Sequence, residues 1–331
     1  MVDTKTRASR NKTICLTKSE EKWYLDRCIT SEKVKKQQRV LDLTFFGDCF
    51  NILPQLPDKF VDLLIVDPPY NLTKDFSTSR FCKMKASDYE VFTRKWIEMS
   101  FHTLKETSSI YVCCDWKTSL LIGSILEDYF IVQNRITWQR EKGRGALKNW
   151  KNSMEDIWFA TRSKNYVFNV DAVKQRRKVI APYRIEGKPK DWKEMENGNF
   201  RDTYPSNFWD DISIPYWSMP ENTDHPTQKP EKLFAKLVLA SSNREGMILD
   251  PFSGVGTSSV VAKKLGRHYI GIEKEAKYCA LSEKRLELAN RDCSIQGYAD
   301  NVFWERNSLV EQKKCIRRQT EAESGAQESL F

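Results

Sequence analysis

Four consecutive residues, Asp67-Pro68-Pro69-Tyr70, carry the most specific chemistry in the chain. They follow the apolar run 61–66, which predicts a buried strand. The two prolines would end the strand and stiffen its exit. Asp67 and the Pro68 carbonyl could then accept hydrogen bonds from an amino group, and Tyr70 could stack on a flat ring. The tetrapeptide is therefore suited to binding an amino-bearing base, although it could also be an ordinary strand exit.

A second candidate is a glycine-containing turn that follows the short predicted strand 246–249. A helix is expected over residues 258–265, and strand, turn and helix in this order are typical of a nucleotide site. The third glycine of the dinucleotide fingerprint is absent, so the turn could belong to any α/β protein. A further predicted strand, 268–272, leads to Glu273, an acid well placed to bind ribose hydroxyls.

A third block, His225-Pro226-Thr227-Gln228-Lys229-Pro230, precedes a predicted amphipathic helix over residues 231–241. Pro230 suits the first helical position. By itself, the block could be a proline-containing loop that starts a helix.

Together the three blocks resemble the amino-group DNA methyltransferases that use S-adenosyl-L-methionine, over roughly residues 40 to 295. Their order along the chain resembles the beta class of that family, and the leading Asp67 resembles its adenine-specific type. The resemblance implies an α/β, Rossmann-like methyltransferase fold. We therefore expect a mostly parallel doubly wound sheet, a circularly permuted motif order and an inserted target-recognition region.

The resemblance also implies roles for individual residues. The catalytic set would be Asp67, Pro68, Pro69 and Tyr70. The cofactor set would comprise the acid after the apolar stretch that ends at Phe46, together with residues of the other two blocks: Asp48, His225, Thr227, Lys229, Asp250, Phe252, Gly254, Gly256, Thr257 and Glu273.

Specific contacts are expected within the cofactor set. Gly254 and Gly256 would let the backbone approach the cofactor closely. Phe252 would cover the adenine or line its pocket. Thr227 and Lys229 would lie at the methionine carboxylate and amine.

Two acids of the cofactor set have further expected roles. Asp250 would form a hydrogen bond or balance the charge of the amino acid part, and Glu273 would bind the ribose. Asp48 could approach the cofactor's adenine, although it could equally be a turn aspartate.

The expected organisation has five parts: a basic N-terminal extension (1–38), a catalytic half (39–162), a target-recognition insert (163–222), a cofactor half (223–295) and a partly disordered C-terminal tail (296–331). The formal net charge of +9 and local basic runs suit a polyphosphate partner, here double-stranded DNA. Such runs could also be solvated surface. The basic residues expected to contact DNA are Lys142, Arg144, Lys148, Arg176, Arg177 and Arg184.

Cysteine and hydropathy patterns limit other classes. The nine cysteines include no Cys-x-x-Cys pair and the three histidines lie far apart, so we expect neither a metal site nor a disulfide framework. No apolar stretch approaches about 18 residues, so no membrane span is expected. The cysteine and hydropathy patterns favour a cytoplasmic protein. The resemblance implies a bacterial or archaeal host, and it allows a homodimer and a restriction endonuclease that shares the site.

The expected reaction is transfer of a methyl group to N6 of a flipped-out adenine in duplex DNA, as in the modification half of a restriction-modification system. Trp138 and the basic residues near 142–144 could line the flipped strand. Methylation of the cytosine N4 amine, of RNA or of a protein amide, a nicotinamide oxidoreductase, and an inactive DNA-binding protein remain alternatives.

Overall fold

The computed structural model describes residues 8–36, 40–75, 77, 80–140, 147–179, 183–195, 198–308, 310 and 312. The α-helices in these ranges are α1 (Lys18–Leu25), α2 (Cys49–Ile52), α3 (Ala86–Phe101), α4 (Ser119–Tyr129), α5 (Glu231–Ser241), α6 (Thr257–Lys264) and α7 (Ala276–Leu288). Short 3₁₀ helices cover Ser31–Lys36, Leu53–Gln55 and Val170–Val173.

The main sheet contains, among the described residues, β1 (Ile29–Thr30), β2 (Leu43–Phe46), β3 (Val61–Val66), β6 (Leu104–Cys114), β7 (Ile131–Gln139), β8 (Met154–Thr161), β14 (Phe208–Trp209), β15 (Met247–Asp250) and β16 (His268–Glu273). Two small hairpins are β4 (Lys74–Asp75) with β5 (Arg80–Phe81) and β10 (Arg184–Ile185) with β11 (Lys188–Pro189). A second sheet is formed by β9 (Gln175–Lys178), β12 (Lys193–Met195), β13 (Gly198–Thr203), β17 (Tyr298–Ala299) and β18 (Val302–Trp304).

The main sheet has the spatial order β1-β2-β16-β15-β3-β6-β8-β7-β14. All neighbouring pairs are parallel except those of β8, which is antiparallel to both β6 and β7. From the central pair β15 and β3, the chain leads to β16 on one side and to β6 on the other. Their carboxyl ends therefore border the crevice in which open α/β sheets bind ligands. The predicted α/β fold with a mostly parallel sheet is confirmed.

Apart from Asp62, strand β3 is apolar, because helices cover both faces of the sheet. Leu63 and Ile65 belong to the core shared with α5 and α6, and Leu64 and Val66 to the core shared with α3 and α4. All four side chains are at most 1% exposed. A one-residue shift of this strand would exchange its two core faces, so its packing fixes where Asp67 emerges.

The second sheet contains strands from both the expected target-recognition insert and the expected C-terminal tail. Strands β9, β12 and β13 come from the insert, and β18 pairs in parallel with β9 although it lies beyond residue 295. Phe303 and Trp304 are 0% and 1% exposed. The segment 298–304 is therefore part of the fold rather than a tail, because its aromatic side chains complete a buried core. The expected disorder beyond it falls mainly outside the described residues.

The N-terminal extension is also part of the fold where it is described. Thr17 and Glu20 form a capping box that starts α1, and the Lys284 ammonium of α7 donates to the Cys15 carbonyl at 2.9 Å. Strand β1 then pairs with β2 at the edge of the main sheet.

Candidate active site

The tetrapeptide predicted to be catalytic leaves β3 at the sheet's carboxyl edge and is held by hydrogen bonds to α3 and to the segment before it. Tyr89 donates its hydroxyl to the Pro69 carbonyl at 3.1 Å. Asn71 exchanges two hydrogen bonds with the backbone of Met84, at 2.7 and 3.0 Å. These bonds fix the loop at Pro69 and Asn71, and the Asp67 side chain remains 19% exposed.

Lys229 joins the third sequence block to this loop. Its ammonium lies 2.7 and 2.8 Å from the two carboxylate oxygens of Asp67 and 3.0 Å from the Tyr70 hydroxyl. The side chain is only 7% exposed. The buried ammonium is therefore neutralised by Asp67, and its expected place beside the methionine part of a cofactor stays a prediction.

Glu155, at the start of β8, is a site residue that the sequence reasoning missed. Its Oε2 accepts the Tyr70 hydroxyl at 3.0 Å and lies 3.3 Å from the Lys229 ammonium. Its Oε1 pairs with Arg140, which follows β7. The residue is 4% exposed. In the sequence Glu155 and Asp156 stand directly before the apolar residues 157–160, and an acid at the edge of such a run is the signal that could have identified it.

The charges in this network shift one another's pKa. Burial raises the pKa of Asp67, and Lys229 opposes that rise. Burial by itself would raise the pKa of Glu155, but the positive charges of Lys229 and Arg140 have the larger effect, and the pKa of this carboxyl is lowered. Burial and the two carboxylates raise the pKa of Tyr70 well above its usual value. Tyr70 therefore keeps its proton and can donate it in a hydrogen bond to Glu155.

The glycine loop between β15 and α6 has a conformation that few other residues could adopt. Gly254 and Gly256 have φ angles of +53° and +72°. A Cβ at Gly256 would lie 1.9 Å from the Ser282 hydroxyl oxygen of α7. Buried Arg285 supports the loop from below by donating to the Val255 carbonyl at 2.8 Å and to the Thr257 hydroxyl at 2.9 Å.

The two acids of the cofactor half have different environments. Glu273 accepts the backbone N–H groups of Gly254 and Glu275 at 2.9 and 2.8 Å. It thereby joins the tip of β16 to the glycine loop. Asp250 is 2% exposed and accepts the N–H of Phe252 at 3.0 Å and the Ser258 hydroxyl. Burial raises its pKa to about 7.

Asp250 forms hydrogen bonds, one of its two expected roles, and its carboxylate closes the turn that presents the loop. Its other expected role, balancing the charge of a bound amino acid group, stays a prediction.

The remaining cofactor candidates surround the same edge. His225 packs edge-on against Tyr278, with ring centroids 4.4 Å apart, and faces Gly254. Its Nδ1 accepts the N–H of Thr227 at 3.3 Å. Burial, and to a smaller extent the positive charge of Lys229, lowers the pKa of His225 to about 3. The half-buried Phe252 packs edge-on against Trp96, with ring centroids 6.2 Å apart.

Asp48 caps α2 through the N–H of Phe50 at 2.9 Å, while the N–H of Gly47 donates to the Glu273 carbonyl. The structure therefore brings the catalytic and cofactor candidates to one edge of the sheet.

The DNA candidates separate into several groups. Arg176 is 7% exposed, forms ion pairs with Asp202 at 2.7 Å and with Asp300 at 2.6 Å, and its guanidinium lies over the Trp304 ring. It is therefore a structural residue of the second sheet, and its expected contact with DNA is not supported. Trp138 is 1% exposed and donates to the Ile212 carbonyl, so it belongs to the core rather than to a strand channel.

Three other DNA candidates have side chains that are at least partly exposed to solvent. Lys148 is exposed and Arg177 is partly exposed. Arg184 pairs with Glu194 and packs over Trp192 while its side chain remains 48% exposed. Lys142 and Arg144 lie outside the described residues.

The described part of the chain lacks two kinds of feature. No group of three or more His, Cys, Asp or Glu side chains there is placed to hold a metal ion. No helix in the same ranges combines the length and apolar character needed to cross a membrane.

Comparisons with known proteins place the chain in a family. A family model described as DNA methylase, N6_N4_Mtase, matches residues 61–284. The type II methyltransferase M.HpaI of Haemophilus parainfluenzae is 34% identical over 246 residues, which are 73% of each chain. The DNA adenine methyltransferase YhdJ of Escherichia coli strain K12 is 32% identical over 249 residues, which are 74% of this chain and 82% of YhdJ.

A solved structure described as the M1.HpyAVI–SAM complex shares the fold at a TM-score of 0.52 and 24% identity, over 73% of this chain and 98% of the other. The chain thus belongs to the DNA methylase family of amino-group methyltransferases, and the family predicted from the three sequence blocks is confirmed.

Proposed function

We propose that the protein is a sequence-specific DNA adenine N6-methyltransferase that uses S-adenosyl-L-methionine. The observation that carries this proposal is the position of Asp67 and the Pro68 carbonyl, at the end of β3 beside the glycine loop after β15. The base assignment draws further support from the leading aspartate of the tetrapeptide and from the E. coli relative named as an adenine methyltransferase.

The cofactor candidates fit S-adenosyl-L-methionine chemically. Gly254 and Gly256 have left-handed φ angles that shape the loop at the crevice, Phe252 offers an aromatic surface, and Glu273 offers a carboxylate suited to ribose hydroxyls. When bound, the cofactor supplies a methyl group already activated by its sulfonium. The protein's own contribution is then alignment more than acid-base catalysis.

The target amine would be activated by hydrogen bonding. Asp67 and the Pro68 carbonyl would accept its two protons, favour a pyramidal nitrogen and free the lone pair from the ring. Tyr70 would stack on the base. Because a paired adenine cannot reach this recessed edge, the nucleotide would flip out of the duplex.

The second sheet and its hairpin supply the surface expected to read DNA. Arg177 and Arg184 on this surface and Lys148 in the loop before β8 keep cationic side chains at least partly exposed. Arginine can contact guanine or phosphate, and lysine can hold phosphates. We further propose a modification role in the cytoplasm of a bacterium or archaeon, in a homodimer and beside a restriction endonuclease that shares the site.

The experiment that tests the proposal identifies the methylated nucleoside. The purified protein is incubated with unmethylated plasmid DNA and S-adenosyl-L-methionine carrying a labelled methyl group, and the DNA is digested to nucleosides. Label in N6-methyladenine is the expected result. Label in N4-methylcytosine would overturn the base assignment, and unlabelled DNA would overturn the activity.

A further inference from the structure

Glu155 has no part in the proposed chemistry, yet it is one of the most constrained acids in the protein. It is buried on β8 and contacts Tyr70, Lys229 and Arg140. Its two oxygens are divided between these partners: Oε1 pairs with Arg140, and Oε2 serves Tyr70 and Lys229. A carboxylate needed only to neutralise Arg140 would not have to reach the catalytic tyrosine.

The position of Lys229 creates a problem for the proposed reaction. Its ammonium contacts both carboxylate oxygens of Asp67, at 2.7 and 2.8 Å, and these are the atoms needed by the target amine. An incoming amine therefore competes with the ammonium for the same acceptor. Moving a buried ammonium away from Asp67 without a closer contact to another carboxylate would be strongly unfavourable.

A second carboxylate lies within a small movement of that ammonium. Glu155 Oε2 is 3.3 Å from Nζ of Lys229, and a shift of about 0.5 Å would bring it to the usual length of a charge-assisted hydrogen bond. The Tyr70 hydroxyl is 3.0 Å from both groups and can keep its two hydrogen bonds during the shift. An ammonium has three donors, so it can exchange acceptors without losing all of them at once.

We infer that Glu155 is a positioning residue that takes over the Lys229 ammonium when a target amine reaches Asp67. Asp67 is then released for the amine, and the buried cation remains paired. Glu155 acts through Lys229 and does not itself touch the reacting atoms. The inference rests on the proposed function, because it requires an amine to enter at Asp67.

The test uses the full-length protein and single-turnover methylation at saturating DNA and S-adenosyl-L-methionine. Glu155→Gln removes the charge of the second acceptor, and we expect a rate about 10- to 100-fold lower, with cofactor affinity changed less than about threefold. Glu106→Gln is the matched control. Glu106 is an exposed acid near the start of β6 and pairs with Arg162. It lies outside the proposed site, so its variant should keep the wild-type rate.

A role through Lys229 is separated from a merely structural role by repeating the change in a Lys229→Met background. With no ammonium to relocate, Glu155→Gln should change the residual rate by less than about threefold. The rate of Glu155→Asp is measured in the same two backgrounds. Its carboxylate still neutralises Arg140 and so preserves the fold, but the side chain is shorter by one methylene group and places the charge farther from Lys229. Its rate should fall between those of wild type and Glu155→Gln.

Equal rate losses in both backgrounds would overturn the inference while leaving the proposed function intact. Wild-type protein that methylates no DNA would overturn the proposed function and, with it, the inference.

Discussion

Replacing Gly256 by alanine tests whether the glycine loop is held in one conformation by α7. Gly256 has φ +72°, and an added Cβ would lie 1.9 Å from the Ser282 hydroxyl oxygen and 2.8 Å from the Ser282 Cβ. Gly254 provides a matched control in the same loop. Its φ is +53°, and the nearest atom to an added Cβ is His225 Nε2, at an ordinary 3.4 Å.

The magnitudes follow from two separate costs. A non-glycine residue in a left-handed conformation costs about 1–2 kcal/mol, and this cost applies at both positions. Overpacking a buried site adds about 1–3 kcal/mol, and this cost applies only at Gly256. Gly254→Ala should therefore lower the free energy of unfolding by about 1–2 kcal/mol, and Gly256→Ala by about 2–5 kcal/mol.

The assay measures urea denaturation and S-adenosyl-L-methionine affinity for both variants and for a compensating change, Ser282→Gly. That change removes the two closest atoms and leaves the Ser282 Cα 3.3 Å from the added Cβ. By itself it should cost about 1 kcal/mol, because it places a glycine inside a helix. Combined with Gly256→Ala, it should recover about 1–3 kcal/mol in a double-mutant cycle.

The reasoning would be refuted if Gly256→Ala were as mild as Gly254→Ala, or if Ser282→Gly gave no recovery. Either result would mean that the loop moves freely relative to α7.

Three further variants test the buried Asp250 and Arg176 and the partly exposed Arg177. Burial raises the pKa of Asp250 to about 7, above that of an unfolded aspartate, so the stability that this group contributes is present below about pH 4 and is lost as the pH rises to 7. Asp250→Asn should flatten this part of the stability curve, measured by urea denaturation between pH 4 and 8. Arg176→Ala should destabilise the protein by about 1–3 kcal/mol through its lost ion pairs. Arg177→Ala should leave the stability within about 0.5 kcal/mol and weaken DNA binding, measured in a salt titration.

Each of these predictions has a contradicting outcome. An unchanged pH profile in Asp250→Asn would mean that its carboxyl does not titrate in this window. Arg176→Ala with wild-type stability and weakened DNA binding would restore Arg176 to the DNA-contact set and exchange its role with that of Arg177.

The elements around the motifs could be predicted closely from the sequence. Helix α5 was expected over residues 231–241 and covers Glu231–Ser241, and α6 is displaced by one residue from its expected range. Only the detail at Pro230 was wrong, because it is the N-cap of α5 rather than its first residue. Such segments are predictable because their periodic apolar residues and their turn residues indicate the same structure.

The rest depended on contacts between residues distant in sequence. The pairing of β18 with β9 joins segments more than 120 residues apart, and short strands give no periodic signal. The burial of Arg176 depends on Asp300, which the local basic run does not indicate. Likewise, the roles of Glu155 and Lys229 arise only when β3, β8 and the segment before α5 meet at one sheet edge. Local patterns identify acids and bases, but only the fold determines which of them neutralise one another.

The central claim is that the Asp67 carboxylate holds the target amine, and the single-turnover rate of Asp67→Asn tests it most directly. The variant keeps the shape of the side chain but loses its charge and one acceptor. We predict methylation at least about 100-fold slower than wild type, with S-adenosyl-L-methionine affinity within about threefold. A rate within a few-fold of wild type, with the cofactor bound normally, would show that the amine is activated elsewhere and would contradict this account.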